Sequence, residues 1–191
     1  MTAVHQDLKQ RTDQELLQSS RSGDVAAFGE LVRRYESKVA ATVVGMLGAG
    51  NEADDVGQET FIRFYNALKN FREESSVGTY ITRIAINLSL NELRRRKRRR
   101  FLFKANDPEN EAEQPAADDT SDHFDKKAIV EHALGTLDPK FRAVVALRLI
   151  EGYSTEETAK ILGIPVGTVL SRLLRAQKKL QTALHTYKEG F

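Results

Sequence analysis

The chain contains no cysteine, which excludes disulfides, zinc–thiolate sites and thiol redox sensing by its own side chains. It has no run of about 18 apolar residues, the length that a membrane-crossing helix needs. Its first residues carry no apolar signal core either. The expectation is a soluble, cytoplasmic protein with no membrane insertion. Proline is scarce, four residues in all and none before Pro108. No stretch alternates apolar and polar residues for long enough to argue a strand. His5, His123, His132 and His185 lie apart, with neither the HExxH spacing of a zinc hydrolase nor a phosphate-cradling glycine loop nearby. Gly48-Ala49-Gly50 reads as a turn, not a nucleotide fingerprint. The expected protein is not an enzyme and holds no metal and no cofactor.

An excess of one charge is also missing. The 29 Lys and Arg residues against 27 Asp and Glu leave a net charge of +2. That average hides a segregation. Arg94 to Arg100 is an unbroken run of seven cations, whereas Ala105 to Asp125 holds eight acids and no Lys or Arg. Local charge, not the total, decides which surface meets a polyanion.

What is present is helical periodicity. Thr12 with Glu15 spells a capping box before Leu16 and Leu17. Phe28, Leu31, Val32, Tyr35, Val39, Val43 and Met46 form a long apolar stripe that ends at the Gly48 turn. Asn51 or Asp54 is placed to cap a third helix with Val56, Ile62 and Leu68 inside. A fourth begins near Ser76 and continues through Ile81, Ile84 and Leu88 into the arginines. From Phe103 to Asp125 the acidic composition, with Pro108 and Pro115, cannot bury enough surface to offset its ordering entropy, and reads as a flexible linker. Ala128, Ile129 and Leu134 restart the helical period. Asp138-Pro139 then pairs an N-cap with proline at the first helical position, launching Phe141 to Ile150. The fold class is all-α: an N-terminal helical bundle over residues 10–102, an acidic linker over 103–125 and a smaller helical domain over 126–187.

Within the last of these, residues 137–179 read as a helix-turn-helix, a way of presenting side chains to base edges in a DNA major groove. Ser154 with Glu157 is a capping box for a helix from Thr155 to Leu162, where Ala159 is small enough for a close crossing. Gly163 supplies a turn of positive φ, and Pro165 opens the second helix. Val169, Leu173, Ala176 and Leu180 make its buried stripe and turn Ser171, Arg172 and Arg175 outward. In the N-terminal part, Thr79, Arg83, Asn87, Asn91, Arg94 and Arg98 recur every three or four residues as a polar stripe without an acid. Such a stripe can lie along nucleic acid, and asparagine both donates to and accepts from base edges. Asp54, Asp55, Gln58 and Glu59 cluster on one side of the third helix, which alone reads as a solvated face as well as a docking patch. The run from Arg94 to Arg100 circles its helix and suits phosphate contact, or a solvated helix end.

The order of these motifs resembles the bacterial sigma factors of the extracytoplasmic-function (ECF) group, in the sigma-70 family. The residues that carry the resemblance are Ala27-Phe28-Gly29-Glu30-Leu31-Val32 with Tyr35; Asp54-Asp55-Val56 with Gln58-Glu59-Thr60-Phe61; Phe71-Arg72 with Ser75-Ser76; Thr82-Arg83-Ile84-Ala85-Ile86-Asn87; and Gly163 to Val169 with Ser171-Arg172. The resemblance implies that the N-terminal domain binds core RNA polymerase, with Asp54, Asp55, Gln58 and Glu59 on the β′ clamp helices. It implies that Phe71, Ser75, Ser76, Tyr80, Arg83, Asn87, Asn91, Arg94 and Arg98 contact and melt the promoter −10 element. The C-terminal domain would sit near the β flap and read the −35 element through Thr168, Ser171, Arg172 and Arg175. Core polymerase, promoter DNA and an anti-sigma factor are the implied partners. Glu73 and Glu74 replace a usual Gly-Asp, Val77 and Tyr80 stand where larger aromatics are common, and Leu170 stands where arginine is common. Gly57 costs its helix about 1 kcal/mol against alanine unless close packing needs it. The alternative reading, a free-standing repressor or activator, uses only the C-terminal domain and leaves the acidic patch and the polar stripe unexplained.

Overall fold

The computed structural model describes residues 7–71, 75–106 and 126–188. Helix α1 spans Asp13–Arg21, α2 Val25–Leu47, α3 Asn51–Ala67 with a 3-10 turn at Leu68–Asn70, and α4 Val77–Asn106. Helix α5 spans Lys126–Gly135 and α6 Pro139–Val145, which runs on into a π-turn at Ala146–Ile150. Helices α7, Thr155–Leu162, and α8, Val166–Lys188, complete the chain. Among the described residues there is no strand, so the fold is all-α as the periodicity implies.

Local chemistry sets most helix starts. The Thr12 hydroxyl accepts from the Glu15 N–H while the Glu15 carboxylate accepts from the Thr12 N–H at 2.7 Å, so two orphan donors satisfy each other. Asp24 caps α2 by accepting from the Ala26 and Ala27 N–H groups. Ser76 caps α4 by accepting from the Thr79 N–H at 3.1 Å. Helix α3 departs from expectation, because its N-cap is Gly50 and no side chain caps it. Gly48 and Gly50 both take positive φ, so the chain has already turned before Asn51, leaving Asp54 in the first turn. Asp138 stands at the N-cap of α6 but makes no cap bond; its carboxylate accepts from the Lys179 ammonium at 3.3 Å instead. Helix α4 runs to Asn106, four residues beyond the expected boundary, because no proline or glycine interrupts it before Pro108. The rest of the acidic segment, 107–125, lies outside the described residues.

Helix α2 is the centre of the bundle. Its Leu31, Val39, Val43 and Met46 are almost wholly buried with Leu16 and Leu17 of α1, Phe64 of α3 and Ile81, Ala85 and Ile86 of α4. The third helix is rotated from the expected face. Ile62 is 55% exposed and Phe64 is fully buried. Positions two apart on a helix point to opposite sides, so only one of the pair can face the core. The larger ring does so, 5.9 Å from Phe28.

The C-terminal helices do not stand apart from this bundle. Ala143, Ala146, Leu147, Tyr153 and Ile161 belong to the same apolar cluster as the core of α1–α4. Every residue from Phe141 to Leu147 is buried, so α6 is covered on all sides. One side faces α2, and the others face Val169 and Ala176 of α8. Arg142, 8% exposed, has no carboxylate partner among the described residues and instead donates to the Met46, Gly135 and Leu137 carbonyls at 2.8, 2.6 and 3.3 Å. Those are backbone acceptors left over at the C-terminal ends of α2 and α5, where the helix dipole also favours a cation.

Glu151 closes the π-turn against Lys38 and Thr42 of α2. Burial pushes its carboxyl above the ordinary 4.5, with Lys38 and Thr42 opposing only in part. A carboxyl raised in the fold stabilises at low pH, and that stability is lost as pH rises through the folded value. Glu151→Gln is therefore expected to raise the thermal midpoint near pH ~7. The gain should shrink towards pH ~3, where the wild-type group is protonated whether folded or not, and a scan of midpoint against pH measures it.

Candidate nucleic-acid interface

The helix-turn-helix is built as its spacing implies. Ser154 and Glu157 form the reciprocal cap of α7, and Gly163 ends it in the left-handed region at φ +64°. The Ile164 N–H then donates to the Ala159 carbonyl at 3.1 Å. The Pro165 carbonyl accepts from Thr168 and Val169 at 2.9 and 3.2 Å, which puts Pro165 just before α8 rather than in its first position. Val169 and Ala176 are fully buried, with Leu173 and Leu180 packed partly behind them. Ser171 and Arg175 are exposed, while Thr168 and Arg172 are half-buried on the flank. The same helix exposes Val166, Leu170 and Leu174, an apolar line beside the basic one.

Helix α4 pairs three of its seven consecutive cations with carboxylates, and Lys97 lies over the Phe101 ring at 5.7 Å. Arg95 pairs with Glu92 at 2.9 Å, Arg96 with Glu52 at 2.7 Å, and Arg99 with Glu52 and Glu92 at 3.1 and 3.3 Å. Arg96 also donates to the Leu47 carbonyl at 3.0 Å. Among the described residues Arg94 and Arg98 form no ion pair; Arg94 donates to the Asn91 amide oxygen at 2.8 Å. Asn87, Asn91, Arg94 and Arg98 are all exposed, at spacings that align them on one side. Thr79 and Arg83, at the start of the stripe, are half-buried. Arg83 donates to the Lys160 carbonyl of α7 at 3.1 Å.

The loop before α4 is more occupied than its sequence suggests. Phe71 is 7% exposed, its ring 4.6 Å from that of Tyr80. It therefore backs Tyr80 instead of facing outward as a stacking platform. Ser76 is committed to the α4 cap, and Ser75 is half-buried. Arg72, Glu73 and Glu74 lie outside the described residues. Val77 is buried and Tyr80 half-buried.

Asp54, Asp55 and Gln58 are exposed on α3, and Glu59, half-buried, pairs with Arg63 at 2.7 Å. Asp55 and Glu59 share a shallow groove with Asn91, Arg95 and Arg98 of α4, so the acidic patch and the polar stripe flank one depression. A Cβ at Gly57 would meet nothing within 4 Å, and nothing in the structure explains a glycine there. Among the described residues no group of three or more His, Asp or Glu side chains is placed to hold a metal ion, and no helix is long and apolar enough to cross a membrane.

Comparison with known proteins matches both halves. The family model described as sigma-70 region 2 matches residues 31–99, and that described as sigma-70 region 4 matches residues 127–180. The chain is 35% identical over 187 residues to the RNA polymerase sigma-H factor of Pseudomonas aeruginosa, covering 93% of this chain and 96% of that one. It is 36% identical over 180 residues to the ECF RNA polymerase sigma-E factor of Escherichia coli strain K12, covering 90% and 94%. Among solved structures, CnrH in complex with the cytosolic domain of CnrY aligns with a TM-score of 0.69 at 29% identity, over 91% of this chain and 97% of that chain. The chain belongs to the sigma-70 family of RNA polymerase sigma factors, in its ECF group. It is a non-enzymatic initiation factor that directs promoter recognition, and the free-standing regulator is not favoured.

Sequence patterning missed the side chains that join the two halves. Tyr153, Arg142 and Thr82 sit in ordinary helical or turn sequence, and no spacing announces a partner 71 or 96 residues away. The division of the arginine run was equally hidden, because it depends on where Glu52 comes to lie. Arg96→Met should lower unfolding free energy by about 2 kcal/mol, since it strips a donor from the Leu47 carbonyl and a partner from Glu52. Arg94→Met should stay within about 0.5 kcal/mol of wild type. Denaturant titration of the two variants makes the comparison.

Proposed function

We propose that α8 reads the −35 element through Thr168, Ser171, Arg172 and Arg175, while α4 and the loop before it capture the −10 bases. The observation that carries this reading is the exposed, acid-free line Asn87, Asn91, Arg94 and Arg98 on a helix that pairs Arg95, Arg96 and Arg99 with Glu52 and Glu92. Arg94 and Arg98 hold phosphates, which positions the duplex without specifying it. Asn87 and Asn91 offer both donor and acceptor to unpaired base edges, and Arg83 joins them when its contact to Lys160 is released. Tyr80, backed by Phe71, supplies the aromatic face on which an extruded base stacks, with the Ser75 and Ser76 hydroxyls at the rim.

Asp54, Asp55, Gln58 and Glu59 form the polymerase-docking face, set on the β′ clamp helices, and the C-terminal module sits near the β flap. The chain works in the cytoplasm, where polymerase and DNA are. An anti-sigma factor that covers these surfaces completes the reading, supported by the likeness to CnrH, which was solved with the cytosolic domain of CnrY.

Separate losses test these roles. Arg172→Ala should cut transcription that depends on the −35 sequence by about 10- to 100-fold, the worth of one base-reading arginine, while polymerase binding stays intact. Asp55→Ala should lose polymerase binding itself. Normal binding and transcription by both variants would show that the residue roles are wrong. Replacing Arg94 and Arg98 with alanine should also flatten the salt dependence of holoenzyme–promoter affinity, by about 0.9 in log–log slope for each phosphate no longer neutralised.

A further inference from the structure

We propose that Leu170, with Val166 and Leu174 one turn to either side of it, packs against thymine methyl groups of the −35 element, so that α8 selects A·T pairs by apolar contact. The proposal rests on the −35 role of α8 given above and names the base chemistry that this helix reads.

The first three turns of α8 present two parallel lines of exposed residues. One is Gly167, Ser171 and Arg175; the other, one position behind, is Val166, Leu170 and Leu174. The apolar line is 40%, 54% and 56% exposed, whereas the neighbouring Leu173 packs inward beside Val169. A single exposed leucine is ordinary on any surface. Three large side chains stacked a turn apart, flush with the polar line, make a strip. Polar reading on this face is restricted. The Ser171 hydroxyl donates to the Thr168 carbonyl at 3.1 Å, so it offers a partner only its acceptor lone pairs. Thr168 and Arg172 are half-buried on the flank. Gly167 adds a second mark. A Cβ there would meet nothing within 4 Å, so no neighbour in the fold requires a glycine. Its bare backbone lets a partner approach α8 closely, close enough for the short side chains of Val166 and Leu170 to touch it.

The surroundings of the strip decide what fits it. From Val166 to Lys188 the helix carries no acid, while Arg172, Arg175, Lys178 and Lys179 lie along it. The partner is therefore a polyanion that also shows apolar groups to a helix. Duplex DNA meets both conditions. Its phosphates are the anion, and the thymine C5-methyl is the apolar group on the base edges of the major groove. RNA meets only the first, because uracil lacks the methyl and the major groove of an A-form duplex is too narrow for side chains. Steps of four residues set Val166, Leu170 and Leu174 about 6 Å apart along the axis. That is near two base-pair rises of about 3.4 Å, so neighbours on the strip meet different base pairs. Contact of this kind adds selectivity without neutralising a phosphate, and it leaves the salt dependence of binding alone.

Uracil substitution isolates the methyl group. With the full chain on core polymerase, selection from a promoter library randomised across the −35 segment defines the preferred element. Each thymine of either strand is then replaced singly by uracil. The expected result is a thymine at one position or more whose replacement weakens wild-type holoenzyme binding about four-fold, the worth of one buried methyl group. Leu170→Ala should bind the thymine and uracil promoters alike at the position that Leu170 reads, with an unchanged salt slope. Leu170→Arg should move the selected base there from thymine to guanine, whose O6 and N7 a guanidinium takes. Both variants should keep the wild-type thermal midpoint, since the side chain is exposed. Uracil tolerated throughout overturns the proposal while the −35 preference stands. So does a uracil penalty that alanine at 166, 170 and 174 in turn leaves unchanged. Promoter binding spared by Leu170→Ala while core polymerase binding weakens would give the strip to a protein partner, and overturns it as well. A library that yields no −35 preference at all strikes the reading role of α8 itself, and the proposal with it.

Discussion

The C-terminal end of α2 is the point on which the architecture turns. A helix leaves its last carbonyls without partners, and here those of Met46 and Leu47 lie buried or half-buried where α4 and α6 approach. Two guanidiniums do so: Arg96 from α4 takes the Leu47 carbonyl and Arg142 from α6 takes that of Met46. Each brings its own helix with it. Burial pushes the Arg142 guanidinium down from its ordinary range, and the nearby Arg96 charge adds to that. Three backbone carbonyls and the negative pole of α2 are what make a buried cation tolerable there. Around this pair the apolar core of α1–α4 continues without a break into Ala143, Ala146 and Leu147.

The same arginines account for the functional surface. Seven consecutive cations cannot all serve one duplex, and the fold assigns them by direction. Half-buried Arg96 meets Glu52 and the α2 terminus and holds α4 against the bundle, while Arg95 and Arg99 pair with Glu52 and Glu92 at the surface. Arg94 and Arg98 are left on the side where Asn87 and Asn91 already stand exposed. Ion-paired arginines and a DNA-facing stripe thus occupy adjoining faces of one helix, and the near-zero net charge of the chain conceals both. This arrangement suits a sigma factor, which has to be held on a large enzyme and yet offer a clean cationic edge to promoter DNA.

Much of this is legible in the order of the residues. The reciprocal caps at Thr12 and Ser154, the left-handed Gly163 and the buried stripe of α8 are local features, set by a few neighbouring residues. Their positions in the fold match those expected. Where patterning errs, the reason is an interaction at a distance. Ile62 and Phe64 are both apolar, and only the presence of Phe28 decides which one turns inward. Phe71 has the ring of a stacking platform, but Tyr80 lies against it. Asp138 has the residue type of a cap, but Lys179 claims its carboxylate.

The boundary between the two kinds of knowledge is therefore physical. Helix, turn and charge patterns depend on residues within about four positions of one another, so the amino-acid order alone determined an all-α chain, its helix-turn-helix and the ECF sigma family to which it belongs. The pairing of Thr82 with Tyr153, the reach of Arg142 to Met46 and the sorting of the arginines join residues 44 to about 100 positions apart. Such pairings are chosen by how whole helices pack and by which buried polar groups must find partners. Only the tertiary structure decided them.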